Sequence, residues 1–147
     1  MTQINAAAHL AARRAAASAA SIALADAGPD NSALRVYTAQ GGALLGTRHL
    51  AKPCGSVRLA DGRIDLATGE APDVVAAAGG AGWVEWVDGN GVMLSAWHLT
   101  DTAGNITDGA GAVVPHPDGI GPFRLAGTTG TTLYVGGLIN LVSVVIG

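Results

Sequence analysis

The stretch Trp83-Val84-Glu85-Trp86-Val87-Asp88-Gly89-Asn90-Gly91-Val92-Met93-Leu94-Ser95-Ala96-Trp97 decides the fold class. Two β-prone runs carrying Trp and Val are joined by Asp-Gly-Asn-Gly, whose residues accept the positive φ that a tight turn between twisted strands needs. The segment is predicted to be a β-hairpin. Outward from it, the same strand-and-turn grammar repeats. Residues 33–37 alternate like a strand and are expected to pair with a second run over 43–50 across Gly41-Gly42. Residues 57–59 and 63–66 flank Asp61-Gly62 as another hairpin, with the Val57, Leu59 and Arg58 alternation marking one wet face. Residues 68–72 read as a loop, and residues 74–78 fit either a helical turn or a strand.

Before the first strand the chain is rich in alanine. Residues 5–27 form one expected helix, with Asn5 as its N-cap and Gly28-Pro29 as its stop. Its large apolar residues are few (Leu10, Ile22, Leu24), so its contacts fall to alanine. The expected packing is across the chain's own sheet, with docking on another subunit as the alternative. Beyond Leu99, Asp, Asn, Gly and Pro crowd residues 100–122, which are expected to be dominated by loops. Residues 123–125, 131–135 and 138–146 are expected closing strands, the last so continuous in Leu, Ile and Val that burial on both faces is predicted.

These segments predict a single domain over 1–147: an N-terminal helix at 1–28, a β core at 33–99, a loop-rich insertion at 100–122 and closing strands at 123–147. The fold class is mainly β, a β-sandwich or barrel-like antiparallel domain with one long N-terminal α-helix.

Composition narrows the function. Charged residues are 13% of the 147 and the formal net charge is −3, against about a quarter charged in ordinary globular chains. The eight basic residues are dispersed, so no stripe follows nucleic-acid phosphates. The apolar run over 133–147 is too short and too interrupted, by Gly136, Gly137, Asn140 and Ser143, for a transmembrane helix, and Arg13 and Arg14 interrupt any signal-peptide core. No membrane and no nucleic acid are expected as partners, and the default site of synthesis is a cytoplasm. A surface with so few charges points to assembly, where neighbouring subunits cover apolar area. Cys54, the only cysteine, excludes an intrachain disulfide and is expected to be buried.

Candidate chemistry is sparse. His9, His49, His98 and His116 lie in four separate contexts without metal-ligand spacing. Asp101, Asp108 and Asp118 with Asn105 do not match a 12-residue calcium loop and are expected to form turns. Ser18, Ser21, Ser32, Ser56, Ser95 and Ser143 lie in no Gly-x-Ser-x-Gly elbow. Gly41-Gly42 and Gly79-Gly80-Ala81-Gly82 lack the lysine of a phosphate loop. Glu85 is expected to face solvent. The three tryptophans are expected either to anchor the core or to line a carbohydrate-binding surface. No catalytic residue, metal site or cofactor is assigned, and no enzymatic activity is expected.

Leu34-Arg35-Val36-Tyr37, Gly42-Ala43-Leu44-Leu45-Gly46, Leu50 and Gly80-Ala81-Gly82-Trp83-Val84-Glu85-Trp86-Val87-Asp88-Gly89-Asn90-Gly91-Val92, following an Ala-rich helix, resemble small proteins encoded among the virion structural genes of tailed bacteriophages. Glu85 departs from the basic residue such proteins often carry there, and the chain runs on past the point where many of them end. The resemblance implies a structural protein of the virion, made in the bacterial host cytoplasm. The implied role is a capsid decoration or minor capsid protein that binds the major capsid protein and copies of itself, with trimers at local threefold positions one arrangement. A tail or baseplate component with host-surface binding is the alternative, favoured if Trp97, His98 and residues 115–122 form an exposed aromatic patch. A cell-wall hydrolase is a third, for which the ionisable residues are too few.

Overall fold

The computed structural model describes residues 6–142 and 144–147. The protein is mainly β, with a single helix among the described residues. Its elements are α1 (Ala6–Asp26), β1 (Ala33–Tyr37), β2 (Leu44–Val57), β3 (Ile64–Thr68), β4 (Gly79–Gly80), β5 (Trp83–Val87), β6 (Met93–Asp101), β7 (Asn105–Thr107), β8 (Val113–Pro115), β9 (Phe123–Leu125), β10 (Thr132–Leu133) and β11 (Val145–Ile146). Seven strands make one curled sheet in the order β11-β3-β2-β1-β5-β6-β9. Neighbours are antiparallel except β6 and β9, which run parallel.

The period-2 pattern selects the inner face. Leu34 and Val36 of β1, Val84 and Trp86 of β5, Leu99 of β6, and Phe123 and Leu125 of β9 all reach one buried cluster. The residues between them, Arg35 and Glu85 among them, stand on the other face. Register shifts between Val36 and Tyr37, between Trp86 and Val87, and between Leu50 and Gly55 help the sheet to curl. The last of these falls at Pro53, which cannot donate to a ladder. It divides β2 into a first half paired with β1 and a second half paired mainly with β3.

The segment after β10 ties the two ends of the sheet together. Leu141 bridges Leu125 of β9, where Ala126 N–H donates to Asn140 O at 2.9 Å and Val142 N–H to Arg124 O at 3.0 Å. A few residues further on, Leu66 N–H donates to Val144 O at 3.0 Å and β11 pairs with β3. The expectation of one long strand buried on both faces is corrected here. Only Val145–Ile146 is regular strand, and Tyr134, Val135 and Leu138 are exposed while Ile139, Val144 and Ile146 are buried. One chain segment serves two strands that lie apart, so it cannot remain a single uninterrupted ladder.

Helix α1 lies against its own sheet, as expected. Ala11, Ala15, Ser18, Ile22 and Ala25 are among the covered positions, and their alternating spacing of four and three residues makes one helical stripe, which Ser21 and Asp26 flank. Ala25 belongs to the core and Ile22 packs on it. Ser18 Oγ donates to Gly62 O at 2.6 Å, and the Asp26 carboxylate accepts Cys54 N–H at 3.1 and 3.2 Å. The predicted cap, Asn5, lies outside the described residues.

Three turns share one construction. In Asp88-Gly-Asn-Gly91, Asp101-Thr-Ala-Gly104 and Asp108-Gly-Ala-Gly111, the aspartate Oδ1 accepts the N–H groups two and four residues on. The final glycine takes φ of 80°, 86° and 82° and donates to the aspartate carbonyl. The expected hairpin turn is present, with positive φ at Gly91 alone among its four residues. The third turn joins β7 to β8, so residues 100–122 hold a short hairpin that the crowding of turn residues conceals. Leu59 is a second correction. It is 93% exposed in the β2–β3 turn and has no place in a buried alternation.

Candidate functional site: a polar groove and a histidine stack

Cys54 is buried, as expected. Burial pushes its thiol up to about 11, a Ser32 hydrogen bond opposes this, and the nearby Asp26 charge adds to it. At neutral pH the group is a thiol and not a nucleophilic thiolate. Asp101 and Asp108 spend carboxylate oxygens on the turns described above, which accounts for them without a cation. Among the described residues, no three His, Cys, Asp or Glu side chains are placed to hold a metal ion, and no helix is long and apolar enough to cross a membrane.

A cavity of about 500 Å³ forms an open groove. Its floor is Ala33, Arg35, Thr47, His49 and Val87, contributed by β1, β2 and β5; its walls are residues 29–31 and the turn 88–91. Alternation places Arg35 here: Leu34 and Val36 point into the core, so Arg35 faces out. The 88–91 wall is anchored beside the helix end, with Gly89 N–H donating to Ala25 O at 3.2 Å and Gly28 pressed against Gly89 so closely that a Cβ on Gly28 would lie 2.6 Å from the Gly89 carbonyl carbon.

His49 is held from behind. Its Nδ1 lies 2.9 Å from Asp73 Oδ1, and Asp73 Oδ2 accepts both His49 N–H and Arg48 Nη1, the latter at 3.3 Å. Arg48 is itself fixed by the carbonyls of Ala71 at 2.9 Å and Gly69 at 3.0 Å. Burial alone would raise the Asp73 pKa, but the hydrogen bonds from His49 and Arg48 outweigh it and hold the carboxyl below its ordinary value. An ionised Asp73 can only accept, so His49 carries its proton on Nδ1 when neutral and presents Nε2 as a free acceptor.

A second cavity of about 280 Å³ lies beside Trp83, His98, His116, Gln40 and Asp118. His98 and His116 stack with ring centroids 4.4 Å apart and planes 19° from parallel. His116 Nδ1 accepts Asp118 N–H at 3.0 Å. Trp83 Nε1 and His98 Nε2 are buried without a partner. Trp97 takes no part, because it projects from the opposite face of β6 and packs on Phe123 at 5.5 Å. Residues 115–122 therefore meet His98 and Trp83, and the patch with Trp97 does not form.

Apolar surface is concentrated elsewhere. Val74 bridges Leu138, and both are exposed together with Tyr134 and Val135. On the helix side, Leu59 and Ala60 flank a shallow trough lined by Ala7, Ala8, Ala11, Ala12 and Ala15.

Sequence reasoning sets His49 apart as an ordinary histidine and attaches nothing to Arg35 or Asp73. The three are joined by strand register and a loop crossing, and no spacing motif announces them. The single available signal is the position of Arg35 between two core residues. Comparison with protein-family models, with curated proteins and with solved structures gives no match.

Proposed function

We propose that this chain is a structural, non-catalytic protein of a tailed bacteriophage particle, a capsid decoration or minor capsid protein that binds the major capsid lattice and copies of itself. The observation that carries the reading is the exposed strip of Val74, Tyr134, Val135 and Leu138 on a chain with only 13% charged residues. Four large apolar side chains on neighbouring backbone form a surface suited to burial against a partner. The resemblance of the β1, β2 and β5 segments to virion structural proteins supplies the identity of that partner.

Cryo-electron reconstruction of purified virions carrying this gene tests the proposal. Density repeated over the icosahedral shell is the expected result. Density confined to the tail tip would transfer the role to a baseplate or host-recognition component, and absence from the particle would overturn both.

A further inference from the structure

We propose that the groove between residues 29–31 and 88–91 is a saccharide-binding site that takes a neutral, hydroxyl-rich glycan chain. Besides Thr47, its polar lining is Asp30, Asn31, Arg35, His49, Asp88 and Asn90. Each of these side chains ends in a planar group with donors, acceptors or both, the chemistry that matches pairs of adjacent hydroxyls. Arg35 offers a fork of N–H donors, His49 Nε2 an acceptor when neutral, and Asp30 and Asp88 carboxylate oxygens.

The charge balance favours a neutral ligand. Arg35 on the floor disfavours a cation, while Asp30 and Asp88 on the two walls disfavour a polyanion. Among the described residues no ion pair engages Arg35, although Glu85 is its cross-strand neighbour. Its donors are therefore available to a ligand.

Three of the groups are also ordered in advance. Asp73 fixes His49, Asn31 Nδ2 donates to Leu50 O at 3.0 Å, and Asp88 Oδ1 is held by Asn90 N–H and Val92 N–H. The Gly28–Gly89 contact sets the spacing of the walls. A ligand entering here finds these three partners already organised, which lowers the entropic cost of binding. The groove is open along its length, and Ala33 and Thr47 keep its floor low, so it accommodates a length of chain and not an enclosed small molecule. The inference stands on the groove alone and holds wherever in a particle the protein sits.

The test is a ¹⁵N–¹H NMR titration of the whole protein with maltose, cellobiose and lactose, and separately with inorganic phosphate. The expected result is millimolar binding of at least one disaccharide, shifting the amides of Asn31, Arg35, His49, Gly89 and Gly91. Arg35→Ala and Asn90→Ala, the latter on an exposed turn where folding is insensitive, are each expected to weaken it by about 10-fold. Failure of all three sugars to shift these amides would overturn the proposal, as would affinity unchanged in both variants. Phosphate binding at the same amides without sugar binding would replace the glycan with an anion.

Discussion

The carboxylate of Asp101 accepts the backbone N–H of Gly130 at 2.7 Å, and this bond ties the end of β6 to the loop that precedes β10. The same side chain accepts Ala103 N–H at 2.9 Å and Asn105 N–H at 2.8 Å, and it is 2% exposed. Burial alone would raise its pKa, but the backbone hydrogen bonds from Asn105, Gly130, Ala103 and Gly104 together hold it below the ordinary value. A depressed folded-state pKa means that stability is fully present above the unfolded value, about 3.9. It is lost as pH falls through the folded value. Urea titrations should show Asp101→Ala less stable than the parent by about 2–4 kcal/mol at neutral pH, because one buried and two part-buried N–H donors lose their acceptor. The gap should narrow on acidification, and a gap independent of pH would contradict the assignment.

Gly62 and Gly41 share positive φ, 74° and 73°, but differ in surroundings. A Cβ at Gly62 would lie 2.6 Å from Ala15 N and 2.7 Å from Arg14 Cβ, whereas at Gly41 nothing lies within 4 Å. Gly41→Ala is expected to cost about 1 kcal/mol, the conformational term alone. Gly62→Ala adds displacement of α1 and should cost about 3 kcal/mol. Equal losses in thermal melts would show that the helix does not press on that turn.

Trp86 and Trp83 should respond in opposite ways to truncation. Trp86 is buried in the core with Nε1 donating to Ser32 Oγ at 3.4 Å, so Trp86→Ala should cost about 3–5 kcal/mol. Trp83→Phe removes a buried donor that has no partner and should be close to neutral, within about 1 kcal/mol. A large loss in Trp83→Phe would reveal a hydrogen bond to Nε1.

Cys54 should not react with an aromatic disulfide reagent at neutral pH while the protein is folded, since the thiol is both buried and protonated. Labelling should rise with urea in step with loss of circular dichroism. Rapid labelling of the native state would show that the region around Asp26 and Cys54 opens readily.

Leu138→Lys and Tyr134→Lys change exposed side chains and should shift stability by no more than about 0.5 kcal/mol. If the strip is the lattice contact, both variants should fail to co-sediment with capsids stripped of the native protein. Full occupancy by both would remove this surface from the assembly.

The sequence was most legible where local chemistry and tertiary packing agree. Gly28-Pro29 ends the helix, alternation at residues 33–37 gives the boundaries of β1, and Trp83 to Trp97 forms the expected hairpin. Legibility failed where one segment answers to two partners. Residues 138–146 are rich in Leu, Ile and Val throughout because Leu141 serves β9 while Val145 and Ile146 serve β3. The hairpin of β7 and β8 was hidden because its strands are three residues each, shorter than the turn that joins them suggests. The groove was illegible for a different reason. Arg35, His49, Asp73 and Asp88 become neighbours only after β1, β2 and β5 are in register, and register is a property of the assembled sheet.

The pairing of residues 140–142 with β9 and of 144–146 with β3 has a consequence for how copies of this chain can meet. An open strand at the rim of a sheet is a template on which a second chain can polymerise by backbone hydrogen bonding, without limit and without selectivity. Here the outer edge of β9 carries residues 140–142 of the same chain, and β3 carries the two-residue β11, too short an edge to template much pairing. Copies of the chain brought together would find little free backbone at this sheet on which to pair, which disfavours fibre growth. Deleting that segment would bare the edges of β9 and β3 at once.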